Sequence, residues 1–429
     1  MPPEEHKKIT LKVNIDDTRF FEKNPEVIMA IGRLIVNVFG QNQGEPVANA
    51  GIQILDSQNK NIIDQLFTNS SGQSDTISLN APDVEYSLEP NAPKPYSEFD
   101  ILVSYNSQKI TVNNIQIFAD TTAVQNVFLS FLPSNISYNI PPHSLYENYP
   151  PKIAEDSVKK LPFPSGLAVL PQPVIPEYVI VHDGVPSDNS APNYWIPYKN
   201  YIKNVCSSEI YPTWPYECIV ANVLVINSFT LNRVYTEWYR NQNYNFMITS
   251  STAYDQSFVY QRNIFSKISE VVDSIFSQYI TKPEIEQPLF TQYCDGENVN
   301  CPGWLSQWGS KQLAENGANY VDILRTYYGY NIYFEMAKQV EGVPSSYPGS
   351  VLQVGSRGNS VRTIQNQLID INKKYPLIPK VAADGIYGNE TANAVKIFQS
   401  TFGLPQTGIV DYATWYEISR IYVAVKKLS

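Results

Sequence analysis

Apolar residues recur in two rhythms along this chain of 429 residues, and the change of rhythm divides it. Up to about residue 132 the period is two. Leu34-Ile-Val36-Asn-Val38, Val47-Ala-Asn-Ala50-Gly-Ile52-Gln-Ile54, Phe99 to Tyr105, Ile110-Thr-Val112 and Val124 to Leu129 alternate, with turn-forming stretches such as Gln41 to Pro46 and Thr68 to Gly72 between them. Short alternating runs at such spacing predict an antiparallel β-sandwich. A weaker alternation, Ile9 to Ile15, lies in a polar segment covering residues 1–30.

From residue 177 the spacing of three and four takes over. Tyr178 to Val181 reads as a strand, and Tyr198, Tyr201, Ile202 and Val205 form one face of a helix. Trp214-Pro215 opens a second helix through Ile219, Val223, Ile226 and Thr230 towards Trp238, because proline suits a first turn whose N–H has no helical acceptor. Phe246 to Thr249 is a further apolar stretch. A third helix is expected from Asn263 to Tyr279 on Ile264, Ile268, Val271, Val272 and Ile275, and Phe290 to Gly296 ends a strand. At the carboxyl end, Asp384-Gly385 and Thr407-Gly408 are tight turns before helices that Thr391 and Thr414 are placed to cap. Three short helices there would bury Ile364, Leu368, Val395, Phe398 and Trp415. The expected fold is multidomain α+β: a segment 1–30, a β-sandwich 31–132, a connector 133–176, a central α+β unit 177–342 and a three-helix unit 351–425.

The connector is dense in proline: Pro133, Pro141-Pro142, Pro150-Pro151, Pro162, Pro164, Pro171, Pro173 and Pro176. Such chain is held extended and short of backbone donors, so it is expected to be accessible, with a short helix near Ala154 to Lys160. Leu167, Ala168, Val169, Leu170, Pro171 and Gln172 form the uncharged piece best suited to proteolytic cutting; the plainer alternative is a spacer.

Composition removes several functions. The net charge is −10 with no basic cluster, which argues against nucleic acid. No apolar run approaches the ~18 residues of a membrane span, and the first residues lack a secretory pattern, so neither a span nor a signal peptide is expected. Thirty tyrosines suit carbohydrate faces, although most will simply be half-buried packing residues. The four cysteines fall in two local pairs, Cys206/Cys218 and Cys294/Cys301, which fit disulfides in an oxidising compartment and free thiols in a reducing one. They lack the tight spacing of a zinc site, and His6, His143 and His182 are scattered, so no metal or cofactor is expected.

The candidate chemistry sits at the helical seam. Glu209 lies between the two helices, with Tyr211, Trp214 and Tyr216 following. A carboxylate against aromatic rings is poorly solvated, which raises its pKa and suits it to donate a proton. The bland alternative is a helix-terminal Glu that favours the local dipole.

Ser208-Glu209 with Trp214-Pro215-Tyr-Glu217 resembles the SpoIID family of lytic transglycosylases, whose catalytic acid falls on Glu209. Ser306-Gln307-Trp308-Gly309 and the segment Asn319 to Gly329 are similar to that family's Ser-Gln-Trp-Gly motif and closing helix. By family position, the resemblance implies a cleft lined by Ser306, Gln307 and Trp308, with Asp255-Gln256 as a polar element and Tyr211, Trp214 and Tyr293 close by. Two departures stand out: Asn300 to Leu305 replaces a His-containing run that binds zinc in some members, and the family's helix arginine falls near Asn227. Residues 31–132 resemble the transthyretin-like domain, and 351–425 resemble the peptidoglycan-binding domain 1 family. That order of parts resembles the SleC-type spore cortex-lytic enzymes of clostridia. It implies a zymogen in the spore's cortex and coat region, activated by a subtilisin-like germination protease, acting on cortex peptidoglycan. Its implied chemistry uses Glu209 as acid and then base, closing a 1,6-anhydromuramic ring. An N-acetylmuramoyl-L-alanine amidase and a non-catalytic wall-binding scaffold are the alternatives.

Overall fold

A computed structural model describes residues 29–40, 45–129, 135–146, 149–160, 172–337, 339–340 and 347–426. The chain is mixed α+β and multidomain, with a helical carboxyl-terminal region. Eight strands open it: β1 (Met29–Phe39), β2 (Gly51–Asp56), β3 (Ile62–Phe67), β4 (Ile77–Pro82), β5 (Ser97–Tyr105), β6 (Gln108–Ile117), β7 (Thr122–Phe128) and β8 (Asn135–Asn139). They form two sheets, β4-β1-β7 and β3-β2-β5-β6-β8. The alternation has the expected cause: Leu34, Val36 and Val38 of β1 and Ile101 and Val103 of β5 point inward and are buried.

The sandwich is not purely antiparallel. β1 pairs with β7 in parallel, Arg33 opposite Thr122 through Phe39 opposite Phe128, and β6 pairs with β8 in parallel. Neither pair is joined by a hairpin, so the tight-turn constraint that forces antiparallel pairing is absent. β3, β4 and β8 escaped the sequence reading; β3 is an edge strand with its side chains mostly exposed, so it has no alternation to display. β8 lies in the stretch read as connector.

Among the described residues eight helices follow: α1 (Tyr198–Glu209), α2 (Tyr216–Tyr235), α3 (Ser266–Ile275), α4 (Gln307–Glu315), α5 (Tyr320–Tyr328), α6 (Asn359–Asn372), α7 (Asn389–Thr401) and α8 (Tyr412–Lys426). α3 is shorter than expected. Ile264–Phe265 instead pairs with β7 at the edge of the sandwich, and Gln278–Thr281 pairs with Tyr333–Met336. Asn263 fixes the first of these junctions, its side-chain amide accepting from the Gln116 N–H and donating to Gln116 O. α2 is long and apolar enough to cross a membrane, but from Cys218 to Tyr235 it is buried in the core. One apolar cluster runs from Leu34 in the sandwich to Val425 in α8.

The connector departs most from expectation. Residues 149–160 contain no helix and are not a free spacer. Ile153 N–H donates to Ala253 O, Gln292 brackets Ile153 and Glu155, and Gln287 brackets Lys159. Proline did keep this chain extended; its freed backbone groups are satisfied by the central unit instead of water. Leu167, Ala168, Val169, Leu170 and Pro171 lie outside the described residues, and Gln172 is half-buried.

In the carboxyl-terminal unit Ile364, Leu368, Val395, Phe398 and Trp415 are buried as expected. Thr391 and Thr414 are not the caps. Asp411 accepts from the Thr414 N–H at the start of α8, and the two threonine hydroxyls accept from the buried amides of Gln365 and Gln399. Each glutamine also accepts the N–H of a turn glycine, Gly385 or Gly408. The unit repeats one device twice: a helix glutamine pins the following turn and the next helix start.

Candidate active site

Glu209 is the last residue of α1, so the bland dipole reading fails. The carboxyl end of a helix carries negative partial charge and disfavours a carboxylate. The side chain is fully buried. Burial pushes its pKa up, opposed in order by the Lys152 charge, the Ser257 N–H, Tyr293 and Gln307. Ser257 N–H donates to Glu209 Oε1 at 2.6 Å, and Gln307 Nε2 reaches Oε2 at 3.4 Å. The Tyr293 hydroxyl faces the carboxyl without a well-aligned hydrogen bond, and Gln307 Oε1 is likewise unsatisfied. The site is a buried acid with polar groups to spare.

The aromatic wall assembles from both sequence windows. Tyr211, Trp214 and Trp308 form a triangle with ring centroids 5.0–6.0 Å apart. Tyr216 does not join it and is exposed. Beside Tyr211 and Trp308 lies a cavity of about 560 Å³, closed on its other side by residues Tyr86 to Pro95, Leu145 and Tyr146.

Local sequence explains why these side chains meet. Tyr293–Cys294 pairs in parallel with Leu305–Ser306, bringing Tyr293 beside the start of α4. Ser306 is that helix's N-cap, its Oγ accepting from Gly309 N–H at 2.9 Å, and this capping accounts for the hydroxyl expected in the cleft. Gly309 has no room for a Cβ, which would overlap the Tyr327 hydroxyl. α4 thus presents Gln307 to Glu209 and Trp308 to the wall.

Asp255 and Gln256 lie near the site but serve as braces. Asp255 accepts from Arg233, from the Tyr239 hydroxyl, and from the Thr249 N–H and hydroxyl. Gln256 accepts from Tyr201 and Thr230 and donates to Ile226 O, pinning α1 to α2. With their polar atoms so engaged and no exposure, neither is free for substrate; their effect is to hold Ser257 N–H against Glu209. Glu217 is directed elsewhere, accepting from Tyr320 N–H at the start of α5.

Cys294 and Cys301 form a disulfide, whereas Cys206 and Cys218 are free and buried. Cys218 packs against Ser310 of α4, and burial pushes its thiol up to about 12. Among the described residues no group of three or more His, Cys, Asp or Glu is arranged to hold a metal.

Tyr149 and Lys152 were missed. Lys152 Nζ sits 4.2 Å from the Tyr293 ring centroid and donates to Asp255 O at 2.9 Å, its charge facing Glu209. The fully buried Tyr149 hydroxyl also faces Glu209. The signal in the sequence was Tyr149 and Lys152 flanking Pro150-Pro151.

Residues 357–418 match the family described as "Putative peptidoglycan binding domain". The chain is 36% identical over 85 residues to N-acetylmuramoyl-L-alanine amidase CwlL of Bacillus licheniformis, a match covering 20% of this chain and 23% of the relative. It thus spans about a quarter of that curated relative's length. A crystal structure of the SleB N-terminal domain aligns at 30% identity over 17% of this chain and 93% of that one, with a TM-score of 0.15. The carboxyl-terminal helices α6 to α8 therefore carry a peptidoglycan-binding domain, and peptidoglycan is the partner they point to.

Proposed function

We propose that this chain is the precursor of a spore cortex-lytic enzyme, a lytic transglycosylase that cuts the bond between N-acetylmuramic acid and N-acetylglucosamine. The observation that carries the reading is Glu209: one buried acid, raised in pKa, beside Gln307 and an aromatic wall. Protonated, it gives its proton to the glycosidic oxygen as the C1–O bond breaks. The resulting carboxylate takes the proton of the same muramic residue's C6 hydroxyl, whose oxygen bonds to C1 and closes the 1,6-anhydro ring. One acid regains its proton and no water is consumed, unlike the paired-carboxylate scheme. Tyr211 and Trp308, which line the cavity, would offer ring faces for sugar C–H groups, whereas Trp214 is fully buried. The carboxyl-terminal domain would hold the enzyme on its polymer in the spore cortex. Removal of the amino-terminal region by a subtilisin-like protease, cutting within residues 167–172, would activate it.

The similarity to an amidase favours a second reading, cleavage of the muramoyl–alanine amide. A zinc amidase needs a ligand cluster, and none is assembled among the described residues. Mass spectrometry of digested cortex separates the cases. Anhydromuramic ends that vanish in Glu209→Gln support the transglycosylase, free stem peptides support the amidase, and intact polymer leaves a binding protein.

A further inference from the structure

A catalytic acid with no solvent exposure cannot meet a polymer, so what covers Glu209 matters. Two elements that precede residue 161 pack on this part of the central unit, one on the aromatic wall and the other beside Glu209 itself. The first is the turn Val84–Ser87 of the sandwich with the residue after it. Ser87 O accepts from Trp214 Nε1 at 2.9 Å, Ser87 Oγ accepts from Thr213 at 2.7 Å, and Leu88 O accepts from Lys311. The second is made of residues 143–146 and 149–160. Ser144 donates through N–H and Oγ to Ser208 O, one residue before the acid, at 3.3 and 2.6 Å. Tyr149 and Lys152 then fill the space beside Glu209. Past them the strap is tied down: Phe290 N–H donates to Ser157 O, and Glu155 takes both terminal nitrogens of Arg233 at 3.0 and 2.6 Å.

Lys152 is an odd residue to bury. Burial pushes its pKa down while the Glu209 and Asp255 charges push it up. Its ammonium lies over an aromatic face and opposite the Glu209 carboxyl. A breaking glycosidic bond develops positive charge at C1 next to the same acid.

We propose that residues 143–146 and 149–160 are a built-in blocker of the Glu209 site, with Lys152 supplying in advance the positive charge that the sugar acquires during cleavage. The inference rests on the assignment of Glu209 as the acid. It also carries a consequence for activation. Any cut after residue 160 leaves the strap joined to the sandwich through β8, and the sandwich still paired with Ile264–Phe265. Cutting alone does not open the site; the amino-terminal piece must leave.

The test uses full-length protein and purified cortex, with anhydromuramic ends as the readout. The intact chain should be inactive. Lys152→Glu sets like charges face to face, and the double variant Glu155→Ala/Lys159→Ala releases the far tie. Either should lyse cortex without any cut, by about tenfold or more over the parent, since apparent activity scales with the open fraction. A synthetic peptide of residues 143–160 should inhibit the opened variants, and its Lys152→Glu form should inhibit at least about tenfold less. Protein nicked after residue 160 should stay associated in gel filtration and remain inactive until the pieces part. An active intact chain, or nicked and still associated protein that lyses at full rate, overturns the blocker. Opened variants that stay silent while released enzyme lyses also overturn it, yet leave the acid assignment standing. Silence from every form removes the acid assignment and the blocker with it.

Discussion

Arg233 Nε donates to Asp255 Oδ1 across 2.7 Å, and neither side chain has any solvent exposure. Arg233 stands in α2, six residues beyond Asn227, where the family comparison looked for an arginine. Its remaining nitrogens hold Glu155. Removing one partner of a buried pair strands the other charge, so Asp255→Ala should cost roughly 3–5 kcal/mol in denaturant unfolding. Glu155→Gln removes a partner that is partly solvated, so its cost should be smaller. Normal stability with impaired lysis in Asp255→Ala would return Asp255 to the substrate.

Glu209 should be a stability liability. Its pKa is raised in the folded protein, so its contribution is fully favourable only below the ordinary carboxylate value and is lost as pH rises through the folded value. Glu209→Gln keeps an acceptor for Ser257 N–H and abolishes the charge. The variant should melt higher than the parent at pH 7, by roughly 2–4 °C per kcal/mol of charge burial relieved. The gap should close near pH 4. A lower melting point for the variant at pH 7 would show that Lys152 more than compensates the buried carboxylate.

These relationships were unevenly legible in the sequence. Glu209, Tyr211 and Trp214 lie within six residues, and Gln307-Trp308 in one motif, so local windows sufficed to name residues that the fold brings together. Its cover was not readable. Pro150-Pro151-Lys152 announces extended chain, but extended chain on water and extended chain on another surface have the same composition; only the tertiary fit of Glu155 to Arg233 distinguishes them. Ile264 misled for a related reason. It falls in helical register with Ile268 and Val271, yet pairing with Val124 of β7 overrides that periodicity. Asp255 and Gln256 were placed at the site by family position; buried polar groups can be braces or catalysts, and only a count of their partners separates the two.

The Cys294–Cys301 bridge closes the loop that leads to α4. Asp295 O accepts from Trp308 N–H at 3.1 Å, and its carboxylate takes the Asn298 and Val299 N–H groups. Gly296 holds φ at +86°, and a Cβ there would collide with the Ser306 cap. Cys294→Ser/Cys301→Ser should lower stability by about 2 kcal/mol, as expected for a short closed loop, and weaken lysis by loosening Trp308. Thiol titration provides the check. Unfolded, unreduced protein should release two thiols, from Cys206 and Cys218, and reduction should raise that to four. Four without reduction would mean the bridge is absent.

Glu417 of α8 sets how the carboxyl-terminal helices stay on the central unit. It accepts from Lys199 of α1 at 2.7 Å and pairs with Arg420, while Lys199 also reaches Asp273 of α3 at 3.0 Å. Burial alone would raise the Glu417 pKa, but Arg420 and Lys199 hold it well below the usual carboxylate range. A depressed folded pKa means the stabilisation is complete above the unfolded value, near 4.3, and is lost as pH falls through the folded one. Acid should therefore loosen α8 from α1 and α3 only well below pH 4. Glu417→Gln should bring that loosening to neutral pH, because Lys199 and Arg420 then face each other with a neutral group between them. Small-angle scattering at pH 7 should show the variant more extended than the parent, and proteases should cut it faster between residues 340 and 350. An unchanged scattering profile would mean that the ring contacts of Phe276 with Tyr412 and Tyr416 hold the two parts together without the ion pairs.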